Sequence, residues 1–345
     1  MKTAVVLFNL GGPDSPEAVR PFLTNLFNDP AIMRVPSLLR RFLAWFIAWR
    51  RSEEAAKIYA QLGGASPILS ETTAQADALQ DVLGERGDYR VFVAMRHWHP
   101  LSEAAAREVA AYAPDKICLV PLYPQFSTTT TGSSLAAWYA AARNVGVNAE
   151  TRALCCYPVD NGFVNGQAEI VSAAVNRCRA DSGGQEPRVL FSAHGLPQKI
   201  VDAGDPYQWQ VEATTRAVAA AAGLAEGSWL VCYQSRVGPL QWIGPETEAE
   251  IKRAGSEKLP LVVVPIAFVS EHSETLIELD VDYRHVAEAA GVPVYERAGT
   301  VRTHPAFING LADLVIETEQ TGREIQSAQG YRQCPDSMAC CALTK

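Results

Sequence analysis

The chain has no uninterrupted apolar run of about 18–20 residues, the length a helix needs to cross a bilayer. Its first residues, MKTAVVLFNLGG, carry no cationic segment ahead of an apolar signal core. Both absences point to a cytoplasmic protein. Positive charge is short as well: 30 Lys and Arg stand against 38 Asp and Glu, a net charge of −8. A general nucleic-acid binder, which must neutralise phosphates, is therefore not expected. No GxGxxG follows the first apolar run and no GxxxxGK[ST] occurs, which removes the usual signals for dinucleotides and nucleoside triphosphates. The eight cysteines come without a secretory signal, so they do not read as a disulfide scaffold.

What is present is enough apolar material, 48% of 345 residues, for about two cores. Short β-branched runs recur at Thr3–Leu10, Val91–Arg96, Lys116–Tyr123 and Thr151–Tyr157, then at Arg188–Ala193, Ser228–Gln234, Leu261–Val269 and Val292–Arg297. Helical patterns such as 72–83, 103–112, 167–179 and 208–222 alternate with them. This alternation predicts α/β architecture: two similar Rossmann-like domains, each a four-stranded parallel sheet flanked by helices. The expected boundaries are 1–157 for the first domain, 158–325 for the second and 326–345 for a short cysteine-bearing extension.

The unusual polar residues cluster just after the strands, in LGGPDSP, RHWHP, YPQFSTTTTGSS, SAHGLP, YQSRVGP and SEHSE. Ligands of open α/β sheets bind beyond the carboxyl ends of the strands, so these loops predict a site. STTTTGSS is expected to cap a helix beginning near Ser134, the other reading being an anion held at that helix N-terminus. His194 emerges at a strand end, where an imidazole suits proton exchange near neutral pH. His285 and His304 read as structural. Glu271, Glu274, Glu278 and Asp282 follow helical spacing with His272 inside the stripe. That set suits a divalent metal or a proton path, or else a solvated acidic face at a helix N-terminus. His272 and Glu274, two apart, are not expected on one side of a helix.

Residues 36–51, PSLLRRFLAWFIAWRR, form either a buried helix or a cationic, aromatic lip at a membrane interface. Cys118, Cys178 and Cys232 read as inert core thiols. Cys334, Cys340 and Cys341 form a soft-ligand cluster in the tail that spacing alone leaves open between a metal site and mobile or redox thiols.

Together the stretches LGGP (10–13), YAQLGGASPI (59–68), MRHWHP (95–100), YPQFSTTTTGSS (123–134), FSAHGLP (191–197), GDPY (204–207), YQSRVGPLQWIGP (233–245) and FVSEHSETLIELD (268–280) resemble the ferrochelatases. That family inserts Fe2+ into protoporphyrin IX to give protohaem, the last step of haem synthesis, with release of two protons. The resemblance implies that His194 and Glu274 are catalytic and meet the Fe2+ substrate, and that His272 and Glu278 continue a polar path from Glu274. It places Arg96, Tyr59, Ser66, Leu10 and Trp242 around the porphyrin, and His97 where many relatives have tyrosine. It implies a membrane-touching lip at 36–51 and a [2Fe–2S] cluster on Cys334, Cys340 and Cys341, with Cys156 favoured over Cys155 as fourth ligand. Glu271 and Asp282 are left as surface charges. The expected assembly is a monomer or homodimer, with no nucleic-acid partner. Rival readings are a coproporphyrin III ferrochelatase, a non-catalytic tetrapyrrole or metal carrier and an iron–sulfur redox sensor.

Overall fold

The computed structural model describes residues 1–236 and 238–343; Val237, inside the 233–245 stretch, and the last two residues of the tail lie outside them. The strands are β1 (Thr3–Asn9), β2 (Tyr89–Met95), β3 (Lys116–Pro121), β4 (Glu150–Leu154), β5 (Arg188–His194), β6 (Trp229–Gln234), β7 (Leu261–Pro265), β8 (Tyr295–Arg297) and β9 (Ile325–Gln326). They form two wholly parallel sheets, in the orders β2-β1-β3-β4-β9 and β6-β5-β7-β8. The α/β reading of the sequence is thereby borne out. Strands buried on both faces account for the unbroken apolar runs: every residue of β1 and of β7 is buried.

The chain divides into two compact units, one made of Met1–Cys156 with Leu311–Tyr331, the other of Tyr157–Gly310 with the residues from Arg332 on. The first sheet therefore has five strands where four are expected. The fifth comes from residues that the sequence boundaries split between the second domain and the extension. β9 is two residues long, too short to leave a periodic signal, yet it pairs Ala153 with Ile325 and Leu154 with Gln326. In this unit Phe8 and Trp138 meet at a 6.1 Å ring distance in the core. In the other unit Phe191, Val211, Val262 and Tyr233 form part of a continuous cluster. Each such side chain contributes about 1.5–3 kcal/mol when fully buried.

Both sheets begin in the same order, second strand, first, third, fourth. The switch point, where successive connections leave in opposite directions, lies between β1 and β3 in one unit and between β5 and β7 in the other. Crevices at such points take ligands. The ends of these strands and the loops that follow them carry Leu10, 122–134, His194 and 266–274.

Helix Ser37–Gln61 takes in the 36–51 segment from its N-cap Pro36 on, and it is not the buried helix of the first reading. Leu38, Leu39, Phe42, Trp45, Phe46 and Trp49 are exposed, while only Ala44, Ala48 and Tyr59 of the helix are buried. No helix among the described residues is long and apolar enough to cross a membrane. A helix begins at Thr131, three residues before the expected start, and its N-cap Thr130 makes no side-chain capping bond. The serine and threonine run is used otherwise, as the site shows. Cys118, Cys178 and Cys232 are buried in the cores, as expected.

The tail is a docked segment. Cys334, Cys341 and Leu343 are buried, and the Arg332 guanidinium donates to the carbonyls of Cys334 at 3.1 Å, Pro335 at 2.9 Å and Met338 at 3.0 Å. Its seat is Gly204, at φ +95°, whose carbonyl accepts from Cys340 N at 3.0 Å; a Cβ there would lie 2.6 Å from Ala339 N. Left-handed backbone costs a side-chain-bearing residue about 1–2 kcal/mol even without that clash. Gly204→Val is therefore expected to speed tryptic cleavage after Arg332 by roughly five- to thirtyfold. An unchanged rate would show that the tail is not seated by this glycine.

Candidate active site

In the second unit the site begins with Gly195. A Cβ at this position would come within 3.0 Å of the Gln234 carbonyl and 3.2 Å of the Trp242 ring, so only glycine lets the chain turn so closely beneath His194. The His194 carbonyl accepts from Tyr207 Oη at 3.0 Å, and its Nδ1 stands 2.6 Å from the Gly195 carbonyl. Nδ1 therefore carries the proton in the neutral ring, and Nε2 is left as the basic nitrogen. Nε2 lies 3.8 Å from Glu274 Oε1, and the ring centroid is 6.5 Å from that of Trp242.

Glu274 sits between two imidazoles. Its Oε2 is 3.5 Å from His272 Nε2, so the two residues do meet. His272 precedes the helical turn, and the side-by-side argument for helix positions does not apply to it. Burial pushes the Glu274 carboxyl up, but the His194 charge and the His272 hydrogen bond outweigh it and hold the group at about 2. Burial opposes protonation of His272, yet Glu274 and the Ser270 carbonyl raise its pKa above the ordinary imidazole value.

The acidic stripe is not a stripe. Glu274–Asp282 is wound as a π-helix, with hydrogen bonds from i to i+5, and its carboxylates diverge. Glu278 accepts from Ser235 N at 2.9 Å and Ser235 Oγ at 2.5 Å, from Gln234 Nε2 at 3.0 Å and from Tyr283 Oη at 3.2 Å. Burial, then the Glu274 charge, raises its pKa. Ser235 takes a left-handed backbone, φ +62°, to aim both donors at Glu278. Glu271, expected at the surface, is buried: Arg297 Nη1 donates to both its oxygens at 3.0 and 3.2 Å, and Thr275 Oγ1 and Thr300 N also donate. Burial raises its pKa, but those partners pull it below the usual carboxylate value. Asp282, expected at the surface, is exposed.

The first unit gathers Arg96 and His97 at the end of β2. Backbone bonds from Arg96 N to Asn9 O and from His97 N to Leu10 O, both 2.9 Å, continue the pairing with β1 and fix Leu10 beside them. Arg96 donates to Asp29 Oδ2 at 2.9 Å and to Ser133 Oγ at 2.6 Å, and Ser133 Oγ donates to Asp29 Oδ2 at 2.5 Å. These residues border a cavity of about 300 Å³ with Thr128 and Ala136. His97 is fully buried 3.8 Å from Asp29. Burial and the Arg96 charge press it down to about 3, so it is a neutral ring. Tyr59 is buried, and Ser66 packs where a Gly12 Cβ would otherwise reach within 2.6 Å of it.

Sequence reasoning missed Asp29, Ser133, Gln234, Ser235 and Arg297. Ser133, Gln234 and Ser235 lie in quoted motifs whose polar residues were left without roles. Asp29 and Arg297 lie outside every motif and carry no local signal.

The thiols fall in two places. Cys155 and Cys156 are buried just after β4, their sulfurs 3.5 Å apart. In the tail, the Cys341 thiol is brought down to about 6, chiefly by its hydrogen bond with Cys334. Gln210 Nε2 donates to Cys334 Sγ at 3.2 Å. The Cys340 thiol turns to the Ala203 carbonyl at 3.3 Å. Among the described residues no three His, Cys, Asp or Glu are grouped so as to hold a metal ion. The donor chemistry suits a soft metal centre, while the orientation of Cys340 does not.

The model of the family described as ferrochelatase matches residues 2–319. A ferrochelatase of Caulobacter vibrioides is 50% identical over 343 residues, 98% of this chain and 97% of the relative. One from Phenylobacterium zucineum is 52% identical over 320 residues, 92% and 91% of the two chains. Among solved structures, SirB from Bacillus subtilis with Fe3+ is similar in fold, with a TM-score of 0.51 and 14% identity over 93% of this chain and 96% of that one. The chain belongs to the ferrochelatase family, lyases that insert a metal ion into a porphyrin in haem synthesis.

Proposed function

We propose that the chain inserts Fe2+ into protoporphyrin IX and that His194 and Glu274 carry the chemistry. The observation behind this reading is the His194 Nε2 to Glu274 Oε1 approach of 3.8 Å at a sheet switch point. Metallation removes two pyrrole protons as the metal enters, so a base must face the ring nitrogens. His194 Nε2, left basic by the bond from Nδ1, takes a proton. The Glu274 carboxylate stabilises the imidazolium that results. From there protons move toward His272 and Glu278, two groups whose raised pKa values let them hold a proton that Glu274 does not keep. Fe2+, the substrate, meets the same pair. The family resemblance gives Arg96, Tyr59, Ser66, Leu10 and Trp242 the task of holding and flanking the porphyrin, with the fully buried His97 next to Arg96 in support. The exposed aromatic face of 38–49, flanked by the exposed Arg41 and Arg50, supports peripheral contact with a membrane from which an apolar porphyrin is drawn.

Three tail thiols and a buried fourth support a [2Fe–2S] cluster on Cys334, Cys340, Cys341 and Cys156, with Cys155 beside the last. Bound, such a cluster supplies one-electron chemistry. To ligate it, Cys340 must leave the Ala203 carbonyl.

In zinc insertion into protoporphyrin IX, followed by fluorescence, His194→Ala is expected to lose at least about a hundredfold in kcat, the usual weight of a general base, with an unchanged melting temperature. Near-normal turnover would remove His194 from this role. For His272 the folded pKa is raised, so its contribution to stability is full below about pH 6.5 and lost as pH rises through the folded value. The melting-temperature gap between wild type and His272→Asn should therefore be wider at pH 6 than at pH 9; a gap constant with pH would deny the His272–Glu274 charge pairing. Protein purified without oxygen should contain about two iron and two sulfide per chain and give a paramagnetic signal on reduction. Cys334→Ser should lose both, and zinc in place of iron and sulfide would overturn the cluster.

A further inference from the structure

We infer that Arg297 is a positioning residue for the metallation site, acting as a bridge that holds Glu274–Asp282 in its π-helical winding and so sets the aim of Glu274 and Glu278. The inference rests on the reading of those two carboxylates given above.

A π-helix of nine residues needs support from outside itself. Such windings are rare, usually a single turn, and persist where the surroundings over-determine them. Here Arg297, at the end of β8, supplies two arms. Nη1 grips both oxygens of Glu271, just before the wound segment, and Nε donates to Asp280 Oδ2 at 2.7 Å, well inside it. The Arg297 and Glu271 side chains are 11% and 9% exposed, so this is a desolvated contact and not a surface ion pair.

The winding makes the bridge selective. Glu271 lies outside the helix and stays put, whereas Asp280 is six residues into it. Over those six residues from Glu274 the α and π windings diverge by roughly 60° or more, so the guanidinium that reaches both carboxylates in the π winding loses Asp280 in the α winding. The same choice of winding fixes the site. An α-helix turns by 100° per residue, and an i to i+5 helix by roughly 70–90°. Over the four residues from Glu274 to Glu278 the two windings thus diverge by roughly 40° or more, enough to take Glu278 off Ser235 and Tyr283. Thr275, whose hydroxyl donates to Glu271 Oε2 at 2.5 Å, ties the first turn to the same anchor.

The test pairs three variants in the zinc insertion assay with hydrogen exchange across the segment. In Arg297→Met, kcat should fall by roughly tenfold to a hundredfold, the loss that a misplacement of about 1 Å brings, while KM for protoporphyrin IX stays within about twofold. Amides of 274–282 should exchange roughly tenfold faster and those of helix Pro305–Gln320 at the wild-type rate. Arg297→Lys, which cannot span both carboxylates with one planar fork, should recover only part of kcat. Asp280→Asn covers the case in which Arg297→Met does not fold. It leaves the Arg297–Glu271 pair intact and weakens the second arm, together with the longer 3.9 Å pair of Arg284 with Asp280, and it should lower kcat and quicken exchange in 274–282. If Asp280→Asn changes neither, or if Arg297→Met keeps wild-type kcat and exchange, the bridge is overturned. In either case an inactive His194→Ala in the same assay leaves the reading of the site standing, whereas an active His194→Ala removes that reading itself.

Discussion

One carboxylate, Glu274, must stay ionised although it is only partly open to solvent, and much of the second unit is arranged around that requirement. Taking a charge out of water is costly unless opposite charge and hydrogen bonds replace the solvent. His194 and His272 provide that compensation from two sides. They come from different strand ends, β5 and β7, so the pair exists only because the sheet order makes those strands neighbours. The neighbouring Glu278 receives four neutral donors, and its pKa moves the opposite way. Two glutamates four residues apart are thus divided into one that prefers its charge and one that prefers a proton, the kind of separation on which acid–base sites depend.

The first unit solves a similar problem with a different set. Arg96 is held by Asp29 and Ser133, leaving its guanidinium neutralised and fixed. His97 beside it is kept uncharged. This set holds an ion pair beside an uncharged imidazole.

The sequence made the fold class legible because parallel strands buried on both faces leave unbroken β-branched runs, as in Thr3–Asn9 and Leu261–Pro265. It did not make β9 legible, since two residues carry no period. His194, Glu274, His272 and Glu278 were readable from strand-end position, spacing and motif resemblance. Their partners were less so. Arg297 sits in a strand with nothing to mark it, and its role exists only once residues 26 apart in sequence, 271 and 297, are brought together. Glu271 was misjudged for a related reason: helical period describes an α-helix, and the segment after it is wound more widely. Cys334 and Cys341 looked like polar-tail residues because composition cannot report that Arg332 gathers the loop's carbonyls and Gly204 leaves space for its backbone.

The late arrival of β9 has a consequence for synthesis. Ala153 N donates to Glu324 O and Cys155 N to Gln326 O, so the outer edge of β4 stays open until residues 324–326 have left the ribosome. By then about 170 residues beyond β4 have been made. An unpaired parallel edge beside two buried thiols is a surface on which another nascent chain could add a strand or form a mixed disulfide. The sheet that appears first in the sequence is therefore among the last parts of the molecule to be closed.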